Sequence, residues 1–485
     1  MILPPRGTPV DRERRAKLRE LRREFLNAEC IEKRVEQLKN ADQLRLFEVF
    51  GDEDVHRLCA ELNVEYRERI FTPAQALGLF VSQVLSRCNA CSTMVTEFNR
   101  ERKRKGLRPI SEDGSAYCKA RAKIPVALVD RLSMEIVQLS YRKEWSQWKW
   151  MNRNVFLVDG LVLRAPDTKA NQEAYPQPSS QKEGLGFPQV RAVVTTSLAT
   201  GCVVHYNTGQ VEGKKTGEVS LFRDKHANFV AGDIVVADCN FESFHDAALL
   251  NNRGVALVCC MNASRDERFD GVCETIDEKL VTLQKPRFDQ SRFTRSEWES
   301  LPDSIQYRVI RYRIRGGNSD VTIVTTLLDS KRYSAADIAE LFGMRWDVEV
   351  DIRSYKASMG MCDLRCLTPD NLDREIAVAV LGYNLVRLLM CDAAAVLEQI
   401  HPREVSFSRA RDAWINFSDE LKTSADMMWI ILSATSRLVR DRPNRDEPRA
   451  IKTRAGTKYP RLNEPRPSRA RRSCTAAREP PSQIP

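Results

Sequence analysis

Residues 234–260 read IVVADCNFESFHDAALLNNRGVALVCC, and this stretch decides the fold class. Ile234 to Ala237 is a short β-branched run that stops at Asp238. Phe244 to Asn252 has helical spacing, and Val255 to Cys260 is apolar again. A strand, a helix and a strand in so few residues read as a parallel crossover unit of an α/β sheet. Upstream, Val155 to Val158 is a second short apolar run, ending at Asp159. Val190 to Leu198 and Cys202 to Tyr206 are β-rich runs joined through Ala199-Thr200-Gly201, a hairpin signal. Thr216 to Phe229 reads as a helix.

The resulting order is three strands, a helix, a strand, a helix and a strand, which is a ribonuclease-H-like order. Downstream, residues 262–328 are polar and mixed, with strand-like alternation in Tyr307 to Ile314 and Val321 to Leu328, and form an expected β-rich insertion. A long helix is expected from Ser334, where Ser334-x-x-Asp337 is a capping-box variant, and an apolar helix over Ile376 to Ala395. Residues 1–150 look all-helical: Arg12 to Asn40 is charged, Thr72-Pro73 is a helix start, and Leu77, Phe80, Val81, Val84 and Leu85 fall at helical spacing. Val126 to Leu139 is amphipathic, and the segment Asn99 to Lys105 before it is basic. The expected fold is therefore α/β: a ribonuclease-H-like mixed-sheet core (151–261 and 329–400) with the insertion at 262–328. A helical N-terminal domain (1–150) precedes it, and a helical segment (401–440) and a tail (441–485) follow.

The chain has 485 residues, 42% apolar and 29% charged, enough for several cores. Its net charge of +10 is local, because residues 441–485 hold 12 Lys/Arg against 5 Asp/Glu and so carry +7. Such a basic segment suits an acidic polymer, although its prolines also make it a solvated, irregular tail. The 14 cysteines are scattered, as in a reducing compartment, and neither Cys88-x2-Cys91 nor Cys362-x3-Cys366 has a second pair at zinc spacing. No signal peptide is expected, because Met1 to Glu36 is densely charged. Asn384, Arg387 and Asp392 within Ile376 to Leu397 mark a buried core helix rather than a membrane span.

Two runs that each end in Asp place carboxylates at the mouth of a sheet, where α/β folds bind ligands, although such an Asp is also a common turn residue. A third carboxylate comes from the expected long helix. At roughly 100° per residue, Phe342, Arg345, Glu349 and Lys356 fall on one narrow face. That face also reads as a solvated row of ion pairs. Asp347 and Asp351 fall about 200° around the helix from Glu349 and should point away. Three carboxylates from two strands and a helix suit phosphodiester chemistry, which needs hard oxygen ligands around divalent ions. Arg345 and Lys356 could then hold DNA phosphates. Gly209 to Lys215 lacks a Walker spacing and Gly184-Leu-Gly186 lacks a third glycine, so no nucleotide cofactor is expected.

The segment 341–360, LFGMRWDVEVDIRSYKASMG, resembles the last motif of insertion-sequence-4-type DDE transposases, Tyr-x2-Arg-x3-Glu-x6-Lys, here Phe342-x2-Arg345-x3-Glu349-x6-Lys356. Val158-Asp159-Gly160 resembles the first motif and VVADCNFES (235–243) the second. GKKTGE (213–218), SQVLS (82–86) and AYCKARAKIP (116–125) are similar to one branch of the family. The likeness covers Thr72 to Arg387. It implies that Asp159, Asp238 and Glu349 are catalytic ligands of Mg2+ (Mn2+ substituting), two ions in number. It implies that Arg345, Lys356, Phe342 and Trp346 contact DNA, with Trp346 stacking on an unpaired base; ordinary packing is its other reading.

The activity implied is cut-and-paste transposition: hydrolysis at the element's ends, hairpin formation and opening, then strand transfer. The implied partners are double-stranded end and target DNA, and a second copy in the DNA complex. No membrane is implied, and the setting is the bacterial cytoplasm and nucleoid. Phe342 departs from the family's Tyr, and Cys239-Asn240 stands where an Arg is frequent. These changes leave a second reading, a degenerate or domesticated copy that binds DNA without cutting it. A third is a structure-specific nuclease on the same fold.

Overall fold

The computed structural model describes residues 33, 35–37, 52–67, 69–88, 90–141, 147–261, 276–289, 294–313, 320–397, 400–417 and 424–435. The expected helix over Arg12 to Asn40 falls almost wholly, and the basic tail wholly, outside the described residues.

Among the described residues from Asp52 onward, five helices precede the sheet: α1 (Asp52–Glu61), α2 (Pro73–Leu85), α3 (Cys91–Arg104), α4 (Ser115–Arg121) and α5 (Val126–Ser140). Helix α2 starts as its sequence dictates. Thr72 and Gln75 form a capping box, and Pro73 occupies the first turn, where its missing N–H costs nothing. The sheet follows with β1 (Val155–Arg164), β2 (Gln189–Ser197) and β3 (Val203–Gln210), then α6 (Glu218–Arg223), β4 (Ile234–Ala237), α7 (Phe244–Asn252) and β5 (Ala256–Cys260). The chain continues through β6 (Asp277–Gln284), β7 (Ser304–Arg313) and β8 (Asp320–Thr325) to α8 (Ala335–Gly343), α9 (Trp346–Arg353), α10 (Pro369–Leu397), α11 (Phe407–Phe417) and α12 (Ser424–Thr435).

The strands form one eight-stranded sheet in the order β3-β2-β1-β4-β5-β8-β7-β6. β1, β2 and β3 are antiparallel neighbours, while β1, β4 and β5 run parallel. This is the ribonuclease-H-like arrangement expected from the element order. Strands β6 to β8 of the segment 262–328 do not fold apart from it: β8 pairs antiparallel with β5 and lengthens the sheet. Backbone groups on the edge of β5 need partners, and β8 supplies them.

Alternation along β1 divides the core. Phe156 and Val158 face α6 and α7, packing with Leu221, Phe222, Phe244 and Ala247. Val155 and Leu157 face the other side, with Ile338 and Leu341 of α8 and Val348 of α9. On that same side, Leu161 and Leu163 join Leu77 and Val81 of α2, Leu128 and Leu132 of α5 and the length of α10. Helix α10 is long and apolar enough to cross a membrane, but it is buried within the protein, as its internal Asn384, Arg387 and Asp392 suggest. Asp159 lies on β1 between Leu157 and Leu161, where these two cores meet.

Four local readings are corrected. β1 does not stop before Asp159; it continues to Arg164, because Leu161-Val162-Leu163 keeps the alternating burial. The strand after the hairpin, expected to close at Tyr206, extends to Gln210. The helix expected over Thr216 to Phe229 is only Glu218–Arg223, followed by a 3-10 turn at His226–Asn228. The single helix expected from Ser334 is two: the Ser334–Asp337 capping box opens α8, which ends at Gly343, and α9 restarts at Trp346.

Candidate active site

Asp159 and Asp238 are neighbours by strand register. The parallel pairing of β1 with β4 runs through Leu157↔Val236, so the two aspartates stand opposite one another two steps later, on the same face. Asp159 sits inside its strand, and its Oδ1 accepts the Gly160 N–H at 2.7 Å. Asp238 follows the end of β4 and caps the next 3-10 turn, accepting from the Asn240 N–H at 2.9 Å and from its Nδ2 at 3.3 Å. Asn240, at the position where an Arg was noted as frequent, thus fixes the second aspartate's orientation.

Burial pushes the Asp159 carboxyl up to about 6. The Gly160 N–H opposes this, the Asp238 charge adds to it, Arg345 opposes it, and Glu218 adds a little. Glu218 is the last residue of GKKTGE (213–218), a segment whose sequence alone gives it no role. It opens α6, and its carboxylate lies directly over Gly160: a Cβ there would meet Glu218 Oε1 at 2.2 Å. Burial also raises the Glu218 carboxyl, with Arg191 opposing and Asp238 adding to it. The mouth of the sheet therefore holds a concentration of negative charge in a partly dry setting, which a divalent cation would relieve.

Helix α9 packs Val348 onto the sheet face that carries Asp159. Its entry is overwound: the N–H groups of Arg345, Asp347 and Val348 donate to carbonyls three residues back. Its exit is underwound into a π-helical turn at Ser354–Ser358, which carries Lys356. Arg345, Glu349 and Lys356 therefore do not follow one uniform helix, and the face computed from a constant 100° step is distorted at both ends. Arg345 remains beside Glu349, donating to Oε1 at 3.0 Å. Its guanidinium also lies 6.0 Å from the centroid of Phe342 and 5.6 Å from that of Trp346. Trp346 is 64% exposed, so its ring faces outward rather than into the core.

The donor set is hard oxygen throughout, which suits Mg2+ or Mn2+ rather than zinc. Among the described residues no three acidic, histidine or cysteine side chains stand close enough together to cage an ion as they lie. The outlying carboxylate is Glu349. It is 37% exposed and held by an i,i+4 pair with Arg345, an interaction worth about 0.3–0.5 kcal/mol in such helix pairs. Releasing the Glu349 side chain from that pair is therefore energetically cheap, and the donor chemistry of the three carboxylates, though not their present spacing, suits a divalent ion.

Residues 150–385 match the family model described as the transposase DDE domain. The chain is also 23% identical, over 305 residues, to the transposase InsG for insertion sequence element IS4 of Escherichia coli (strain K12). That alignment covers 61% of this chain and 65% of the relative's length. Residues 150–385 thus carry a transposase DDE domain, and the chain is similar to the transposase of insertion sequence element IS4. The DDE domain holds the three carboxylates singled out in the sequence, and all eight strands of the sheet lie within its limits.

Proposed function

We propose that this DDE transposase cuts DNA at the ends of its mobile element and joins the freed ends to a target, using Asp159, Asp238 and Glu349 as its metal-binding carboxylates. The observation that carries this reading is the register of β1 and β4, which sets Asp159 beside Asp238 under the helix that bears Glu349. Bound Mg2+ or Mn2+, two ions by the family resemblance, would activate the attacking oxygen and stabilise the leaving one. Asp159 and Asp238 would hold the metal side of the scissile phosphate, and Glu349 would complete the set after leaving Arg345. Arg345, freed from that pair, would turn its planar fork to a phosphate, and Lys356 would add a point charge.

Trp346 has the exposure needed to stack on an unpaired base. Phe342 supports Arg345 through its ring but offers no hydroxyl to a phosphate, so positioning there rests on the cation alone. Water would attack first, and the resulting 3′-hydroxyl would attack the opposite strand and then, after hairpin opening, target DNA. Cleavage of paired ends makes a homodimer on double-stranded DNA the working form, on the chromosome in the cytoplasm. The helices before the sheet, with the basic α3, and the basic tail would add phosphate contacts.

The test uses duplexes carrying the inverted repeats that flank the gene. Wild-type protein with Mg2+ should nick and join them. Asp159→Ala, Asp238→Ala and Glu349→Ala should each lose at least ~10³-fold in cleavage while still binding the duplex. Cleavage at wild-type rate by any of the three variants would refute the assignment.

A further inference from the structure

Glu349 is not the only carboxylate on α9 with a defined role in the fold. Asp351 lies two residues on, around the helix from it, and is 2% exposed. Its Oδ1 accepts from two guanidinium groups, those of Arg387 on α10 and Arg403 beyond it, the latter at 3.0 Å. Arg403 also donates through Nε to the carbonyl of Leu198 and through Nη2 to that of Ser197, both at 2.8 Å. Ser197 is the residue of β2 paired with Phe156 of β1, three residues before Asp159. Arg387 is held in turn by the Tyr383 hydroxyl, which accepts from its Nε at 2.8 Å. Gly201 in the β2–β3 turn, at φ +74, leaves room for that guanidinium; a Cβ there would lie 2.8 Å from its carbon. A continuous polar path thus runs from the helix of Glu349 through Asp351 and Arg403 to the strand pair that carries Asp159.

Apolar packing through Val348 holds α9 to the sheet but has little directionality, so it leaves rotation and sliding weakly fixed. Charge-assisted bonds from fixed guanidinium forks are directional. With Asp347 3.8 Å from Arg403, two carboxylates balance two arginines. We propose that Asp351 is a positioning residue for the metal site: through Arg387 and Arg403 it sets the rotation of α9, so that Glu349 is presented to Asp159 and Asp238. This inference rests on the carboxylate assignment made under the proposed function.

The experiment titrates Mn2+ alone into the full-length protein and reads metal-induced thermal stabilisation. Outer groups that orient metal ligands typically change metal affinity by ~10–100-fold. Asp351→Asn and, as the milder variant at a less buried position, Arg403→Gln should each raise the half-saturating Mn2+ concentration about tenfold or more. In a Glu349→Gln background the same substitutions should add no further shift. If Asp351→Asn fails to fold, Arg403→Gln alone carries the test. Unchanged half-saturation with only a lower metal-free melting temperature would overturn the proposal. So would an equal shift in the Glu349→Gln background, since Asp351 would then not act through Glu349. A wild-type protein that Mn2+ does not stabilise would overturn the carboxylate assignment, and this inference with it.

Discussion

Helix α9 carries Glu349 and Asp351 two residues apart, and the fold treats them oppositely. Glu349 is partly exposed, with a rotatable partner in Arg345. Asp351 faces the interior and is fixed by Arg387 and Arg403. Under the proposed function, the difference separates a carboxylate that can change partners from one that cannot. A ligand for an incoming ion must be releasable, and a weak exposed pair releases it at little cost. A buried carboxylate between two arginines cannot leave without stranding both charges in the interior. Because the two lie about 200° apart around the helix, a half-turn error in α9 would exchange these environments.

Stability measurements offer the strongest way to break this contrast. Asp351→Ala should lower unfolding stability by about 3–5 kcal/mol, because it strands Arg387 and Arg403. Glu349→Ala should change it by no more than about 0.5 kcal/mol. Urea denaturation of both variants checks this, and equal losses would erase the distinction between the two faces. The next effect sharpens the account of the buried side. Gly201→Ala places a methyl against the Arg387 guanidinium in a left-handed conformation, and should cost about 1–3 kcal/mol by the same measurement. A neutral outcome would mean that Arg387 is free to move.

The smallest effect concerns the open side and its pH dependence. The folded, metal-free protein raises the Asp159 carboxyl to about 6, so it binds that proton more tightly than the unfolded chain does. The contribution favours folding below the unfolded value, about 4, and is lost as pH rises through about 6. Asp159→Asn, which carries no charge at any pH, should therefore be more stable than wild type at pH 8. The margin should be about 1 kcal/mol after allowance for solvent, shrinking toward pH 4. Melting curves without metal, taken across that range, check the sign; a margin that grows on acidification would contradict the buried, charge-crowded environment described for Asp159.

Much of this was legible in the chain. The strands around Asp159 and Asp238 are short β-branched runs whose order restricts the topology, and Ser334-x-x-Asp337 and Thr72-Pro73 announce their helices through local hydrogen bonding. Local signals failed where a neighbour decided the outcome. β1 runs past Asp159 because β2 goes on pairing with it as far as Arg164. The 262–328 strands join the main sheet because β5 would otherwise end it with open hydrogen-bonding groups. The helix around Arg345 tightens and then loosens, which a constant angular step does not anticipate. Glu218 escaped notice because nothing in Gly-Lys-Lys-Thr-Gly-Glu says that its carboxylate will lie over Gly160.

What the sequence by itself determined is the set of acidic groups, their strand or helix settings, and the polar residues Asn384, Arg387 and Asp392 that mark α10 as an interior helix. Periodicity and residue chemistry act over a few residues, and these features need no more. Only the tertiary structure decided which carboxylate on α9 is buried and which stays partly exposed. It alone also decided that Arg387 and Arg403, distant in the chain, meet on Asp351. Those outcomes depend on desolvation and directional bonding between segments far apart in sequence, and the register of β1 against β4 and of α9 against α10 exists only once the sheet has formed.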